Sequence, residues 1–253
     1  MRFSHGFTFV ELLVSIAVVA VLASLSTAGL IKALDAGRAA TSTSNLRQLA
    51  LANLAYVADN DGVFCPAQDM SNLVRWHGAR TSGSQFDPTK GYLAPYLGQS
   101  CRVKMCPLFR DMIKGASSFE DGTGGYGYNA TYIGGTPPDM YEPIHILKIK
   151  HPSQTVMFTT TAFAKKDGVQ EYPYCEPFQW VDPNYQLSGT LQPSVHFRAN
   201  GRALVAWCDG HVTAEPPSRL GGKDYYGGNS KKEMIGWFGP SENNGYWNPE
   251  YEP

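Results

Sequence analysis

Phe7-Thr8-Phe9-Val10-Glu11-Leu12-Leu13-Val14-Ser15-Ile16-Ala17-Val18-Val19-Ala20 opens an apolar run that continues to Leu34 and carries only two charges, Glu11 and Lys32. About 20 apolar residues cross a bilayer as a helix rising 1.5 Å per residue, so residues 7–34 are expected to form a spanning helix. A carboxylate in such a helix costs roughly 2.5–3.5 kcal/mol on insertion scales and marks a functional site whose partner has to be named. The complementary group is an amine, and cleavage after Gly6 would create one on Phe7. Two plainer alternatives exist. A secretory signal has an apolar region of about 7–15 residues and a small-x-small cleavage site; the run from Phe7 to Ile31 is longer, although Ala23-Ser24-Leu25-Ser26 imitates such a site. A plain signal anchor would tolerate Glu11 near the membrane interface.

Gly6-Phe7-Thr8-Phe9-Val10-Glu11-Leu12-Leu13, preceded by a short leader with Arg2, resembles the processing site of type IV prepilins and type II secretion pseudopilins. The resemblance implies that a prepilin peptidase cuts after Gly6 and methylates the new N-terminus at Phe7. It implies that Glu11, fifth in the mature chain, pairs with the N-terminus of a neighbouring subunit during assembly. The partners implied are further copies or relatives in a homo- or hetero-polymeric filament, the peptidase, an inner-membrane assembly platform and membrane lipid. The implied location is a single pass through the inner membrane with the head outside the cytoplasm, then a periplasmic or cell-surface filament. Arg2 on the short inner flank agrees with the positive-inside tendency.

The chain has 253 residues, room for one membrane helix and one globular head. A net charge of -1 gives no electrostatic footprint for nucleic acid. Charged residues make up 17% while Gly, Pro and aromatics are plentiful, which favours a loop-rich β-containing head over a helical bundle. Five cysteines (Cys65, Cys101, Cys106, Cys175, Cys208) allow two bridges and one thiol outside the cytoplasm. Connectivity is open; Cys101 and Cys106 close a short loop and are the easiest pair. A zinc site is the rival reading, but no Cys-x-x-Cys or nearby His pair supports it.

Helical periodicity continues past the span through Leu30, Ala33, Leu34 and Gly37, then Leu46, Leu49, Asn53, Leu54, Tyr56 and Val57. Asp59-Asn60-Asp61-Gly62 is a stop signal, with Gly62 available as a left-handed cap. The helix from Phe7 to about Ala58 would be roughly 75 Å long. Gly29, Gly37 and the Ala39–Ser44 stretch lower the propensity, so a bend, a flexible neck or close helix packing is expected there. Ser44-Asn45-Leu46-Arg47-Gln48-Leu49 and Tyr56-Val57-Ala58-Asp59-Asn60-Asp61-Gly62 are similar to a large bacterial group of prepilin-like proteins with a His-x9-Asp-Gly signature. In that group this segment is the amphipathic half of the long helix and packs on the head's sheet. Met105-Cys106-Pro107 and Gly125-Tyr126-Gly127-Tyr128-Asn129 resemble the same group.

Strands are expected at Ile144–Ile149 and Thr155–Thr161. Ser194–Arg198, Ala203–Cys208 and His211–Ala214, joined by Asn200-Gly201 and Asp209-Gly210, predict a three-stranded meander over about 193–215. Leu204, Ala206 and Cys208, or the alternate set, would face the helix. Asp209-Gly210-His211 matches the group's signature, but Ala199 stands where the histidine belongs, and His196 lies three positions off. Whatever that histidine does in relatives is in doubt here, and Asp209-Gly210 is expected to serve the turn. The tail 216–253 is too apolar for a solvated disordered segment and is expected to wrap the sheet; an aromatic binding surface is the alternative.

No catalytic constellation stands out. The six histidines lack metalloprotease spacing, no Gly-x-Ser-x-Gly occurs, and Gly122–Gly127 lacks the spacing of a phosphate loop. Asp59-Asn60-Asp61-Gly62 resembles a fragment of a calcium loop without its distal glutamate, which leaves Asp59, Asp61, Asp182 and Asp209 as weak oxygen ligands for calcium. The expected fold is therefore α+β and pilin-like. It has a leader (1–6), a transmembrane or filament-core helix (7–34), its amphipathic half (35–61) and a loop-rich β head (62–253). The expected function is a non-enzymatic pilin or pseudopilin subunit of a type IV pilus-like or type II secretion filament. The alternative is a membrane- or filament-displayed module that binds glycan or a secreted substrate.

Overall fold

The computed structural model describes residues 8–81, 85–113, 120–136, 142–182, 184 and 186–252, apart from the side chains of 25–28 and 31. One helix, α1 (Phe9–Asp59), runs without a break through Gly37 and the Ala39–Ser44 stretch, so the helix does not melt there. Ser42 shows why small residues stand there. It is buried, its hydroxyl meets the Cys106 thiol at 3.1 Å, and its carbonyl accepts the Tyr126 hydroxyl at 3.2 Å. A larger side chain would hold the helix off the head. The helix ends as its sequence requires. Asp61 (φ 50) and Gly62 (φ 82) turn left-handed, and the Gly62 N–H returns to the Val57 carbonyl at 2.9 Å.

The second half of α1 lies on a four-stranded antiparallel sheet, spatial order β5-β4-β2-β1, made of β1 (Tyr126–Tyr128), β2 (Val156–Thr160), β4 (Ala203–Trp207) and β5 (Val212–Glu215). The pleat sorts β4 by alternation. Leu204 and Ala206, with Cys208 just beyond, join Leu46, Leu49, Ala50 and Val57 in one core. Ala203, Val205 and Trp207 face the other way into a second core, with Phe178, Trp237, Phe238 and Trp247.

That second core is built by the tail. β3 (Val195–His196), β6 (Arg219–Leu220) and β7 (Ile235–Trp237) form a separate sheet, order β6-β7-β3. The expected meander is thereby corrected. β4 and β5 do pair across Asp209-Gly210, with Leu204 opposite Ala214, but β3 pairs with β7 rather than β4. Asn200-Gly201 still makes its tight turn, in which Ala199 and Arg202 exchange backbone bonds at 3.0 and 3.1 Å. The edge of β4 beyond it is taken by β2. The expected strand at Ile144–Ile149 is also corrected. Only a bridge from Val63 to His145 forms, and Ile146–Lys148 is a 3-10 turn capped by the His145 ring.

Three buried indoles clasp one segment. Trp76, Trp247 and Trp237 donate to the carbonyls of Pro173, Cys175 and Pro177 at 2.9, 2.9 and 3.0 Å. Each buried N–H is thus satisfied; Trp237 and Trp247 make this part of the tail core structure, while Tyr225 and Tyr226 stay exposed.

Candidate functional site

The first turn of α1 carries the candidate assembly site. Thr8 caps the helix, and its hydroxyl accepts the Glu11 N–H at 3.3 Å. Glu11 reaches back, and its Oε2 accepts both the Thr8 N–H and the Thr8 hydroxyl at 2.8 Å. This reciprocal pair is a capping box. It satisfies two orphan groups of the helix start and sets a negative charge at the positive end of the helix dipole. Thr8-x-x-Glu11 before an apolar run is the sequence signal of such a box. Gly6 and Phe7 lie outside the described residues.

Beyond this turn the helix is bare. Phe9 is 78% exposed, Val19 63%, Leu30 59% and Leu34 55%, and the continuation face Leu30, Ala33, Leu34, Gly37 is exposed as well. Burial begins at Ser42. Among the described residues no helix is long and apolar enough to cross a membrane.

The weak calcium ligands do not converge. Among the described residues no three His, Cys, Asp or Glu side chains are grouped to hold a metal ion. Asp182 Oδ1 accepts the N–H groups of Asn184 and Gln186 at 2.8 Å, closing its own loop. Asp209 Oδ1 accepts the His211 N–H at 3.0 Å and meets His211 Nδ1 at 2.6 Å, and Gly210 (φ +90) sits over Leu54. This pair therefore shapes the hairpin tip against α1. Asp59 and Asp61 are exposed at the helix end.

All five cysteines are free thiols. Cys101 and Cys106, the easiest candidates for a bridge, are unbridged. Cys101 Sγ meets the Gly98 carbonyl at 3.4 Å, whereas Cys106 is buried against Ser42. The substituted signature position, Ala199, is buried in the tight turn. His196 occupies the second sheet, where its Nδ1 lies 2.9 Å from Arg198 Nη1. Burial first, and the Arg198 charge second, push this imidazole well below the usual histidine range, so it is neutral and structural.

The family model described as prokaryotic N-terminal methylation motif matches residues 1–27. No curated protein and no solved structure matches the chain. That motif belongs to structural pilin-type proteins rather than enzymes, and it implies processing by prepilin peptidase and pilus assembly. The chain carries a prokaryotic N-terminal methylation motif, which indicates a type IV pilin-like protein of the prepilin-processed kind.

Proposed function

We propose that the chain is a structural subunit, pilin or pseudopilin, of a type IV pilus-like or type II secretion filament, cut after Gly6 and polymerising through the apolar half of α1. The observation that carries this reading is the exposure of the described apolar side chains of α1 between Phe9 and Leu34, on a helix continuous with a half that packs on the head. Apolar surface of this extent needs cover. Lipid supplies it before assembly, with residues 7–34 as the span, and neighbouring helices supply it afterwards. Glu11 has a defined exchange to make. In the single chain its carboxylate accepts from the neutral donors of Thr8; in the filament a cationic amine on Phe7 of another copy replaces them, so that both partners of the bond carry charge.

The test is Glu11→Gln in the native cell. Membrane levels of the protein should stay unchanged, because a neutral side chain inserts as well or better, while the sheared filament fraction should fall at least tenfold. Normal filaments from Glu11→Gln would refute the assembly role. A second reading, a filament- or membrane-displayed binding head, is favoured by the exposure of Trp180, Tyr225 and Tyr226 at 36%, 59% and 47%.

A further inference from the structure

A cleft of about 740 Å³ opens in the head between the π-helical turn Ala130–Gly134 and the C-terminal segment, within the roughly 300–1,000 Å³ of small-ligand sites. Tyr132, Glu142, Lys148, Asn243, Asn248 and Glu250 line it. A recess of about 130 Å³ shares Thr131 and Val181 with the cleft and adds Tyr172, Glu176 and Trp180.

The walls are built rather than incidental. Asn244, fully buried, donates to the Tyr132 hydroxyl at 3.0 Å and exchanges bonds with the Gln179 backbone at 2.8 and 3.0 Å. Asn129 donates to the Trp247 carbonyl at 2.9 Å and so ties the π-turn to the tail. Asn243, Asn244 and Gly245 all take positive φ, at 47°, 61° and 50°. Strained backbone of this kind and single π-turns both collect at ligand sites, and here they meet at one cleft.

The lining selects a ligand class. Amides, carboxylates, an ammonium and hydroxyls dominate, which suits a ligand rich in hydroxyl groups. Glu142, Glu176 and Glu250 outnumber Lys148, which disfavours an anion. Trp180, 36% exposed, lines the recess and stands apart from the other four tryptophans, which are 0–5% exposed. We propose that this cleft binds a neutral glycan chain, with Trp180 stacking on a sugar ring and Asn248 and Glu250 bonding its hydroxyls. The proposal sharpens the binding-head reading and is independent of filament assembly, so the two can fail separately.

The test uses the full chain in lauryldimethylamine oxide, a detergent without a sugar headgroup, titrated by calorimetry with maltohexaose, cellohexaose and N-acetylchitohexaose. At least one hexaose should bind saturably and shield tryptophan emission from acrylamide, because Trp180 is the one exposed indole. Trp180→Ala and Glu250→Ala, both at exposed positions, should each weaken binding at least tenfold. The double variant Tyr225→Ala/Tyr226→Ala, on the other exposed aromatic patch, should bind as wild type. No saturable binding of any hexaose, loss in the tyrosine variant instead, or equal affinity for a tryptic casein peptide would overturn the proposal.

Discussion

Asp121 sits half-buried, and burial, followed by the charge of Glu171, pushes its carboxyl up to about 6. Glu171 itself is committed elsewhere, to the Thr123 and Gly124 N–H groups at 2.7 and 3.1 Å. The folded state therefore holds a proton on Asp121 that the unfolded chain releases near its ordinary carboxylate value. Between those two values the unfolded state binds fewer protons, so stability falls as pH rises and the contribution is gone above about pH 6. Asp121→Asn should thus raise the urea midpoint at pH 7 and leave it nearly unchanged at pH 4, as followed by tryptophan fluorescence; an equal shift at both pH values would contradict the linkage. Such an acid is invisible in sequence, where Glu120, Asp121 and Glu171 read as scattered charges. Glu11 is the opposite case, because an acid in an apolar run announces itself without any structure.

Helix and hairpin signals that depend on neighbours in sequence were legible, and those that depend on distant pairing were not. α1 ends where Asp59-Asn60-Asp61-Gly62 says it should, and Leu46, Leu49, Asn53 and Val57 are buried as their spacing required. The Asp209-Gly210 hairpin forms for the same local reason. β3 leaves the meander because β7, about 40 residues on, offers it an edge that no local pattern reveals. Two variants probe these elements. Leu46→Ala removes a fully buried side chain between α1 and the sheet and should cost about 3–5 kcal/mol, whereas Leu51→Ala, at 54% exposure, should stay within about 0.5 kcal/mol; equal effects in urea melts would contradict the packing. Gly236 lies in β7 where an added Cβ would stand 1.9 Å from the Arg219 carbonyl oxygen. Gly236→Ala should part β6 from β7 and expose the tail to limited proteolysis, and an unchanged digestion pattern would contradict the β6-β7-β3 sheet.

The molecule as a whole divides by solvent. From Ser42 onward α1 shares a core with the head, while the described apolar side chains between Phe9 and Leu34 are exposed. Nothing in the head demands a helix of that length. Under the proposed function that demand comes from lipid and from other copies, and the methylation motif at residues 1–27 supports prepilin-type processing. The central claim is therefore processing after Gly6, and the N-terminal peptide mass of the protein isolated from its native membrane fraction tests it most directly. The account predicts a chain that begins at a methylated Phe7. An intact Met1, or a start near Ala23–Ser26, would contradict it and leave the head as an anchored or secreted binding module.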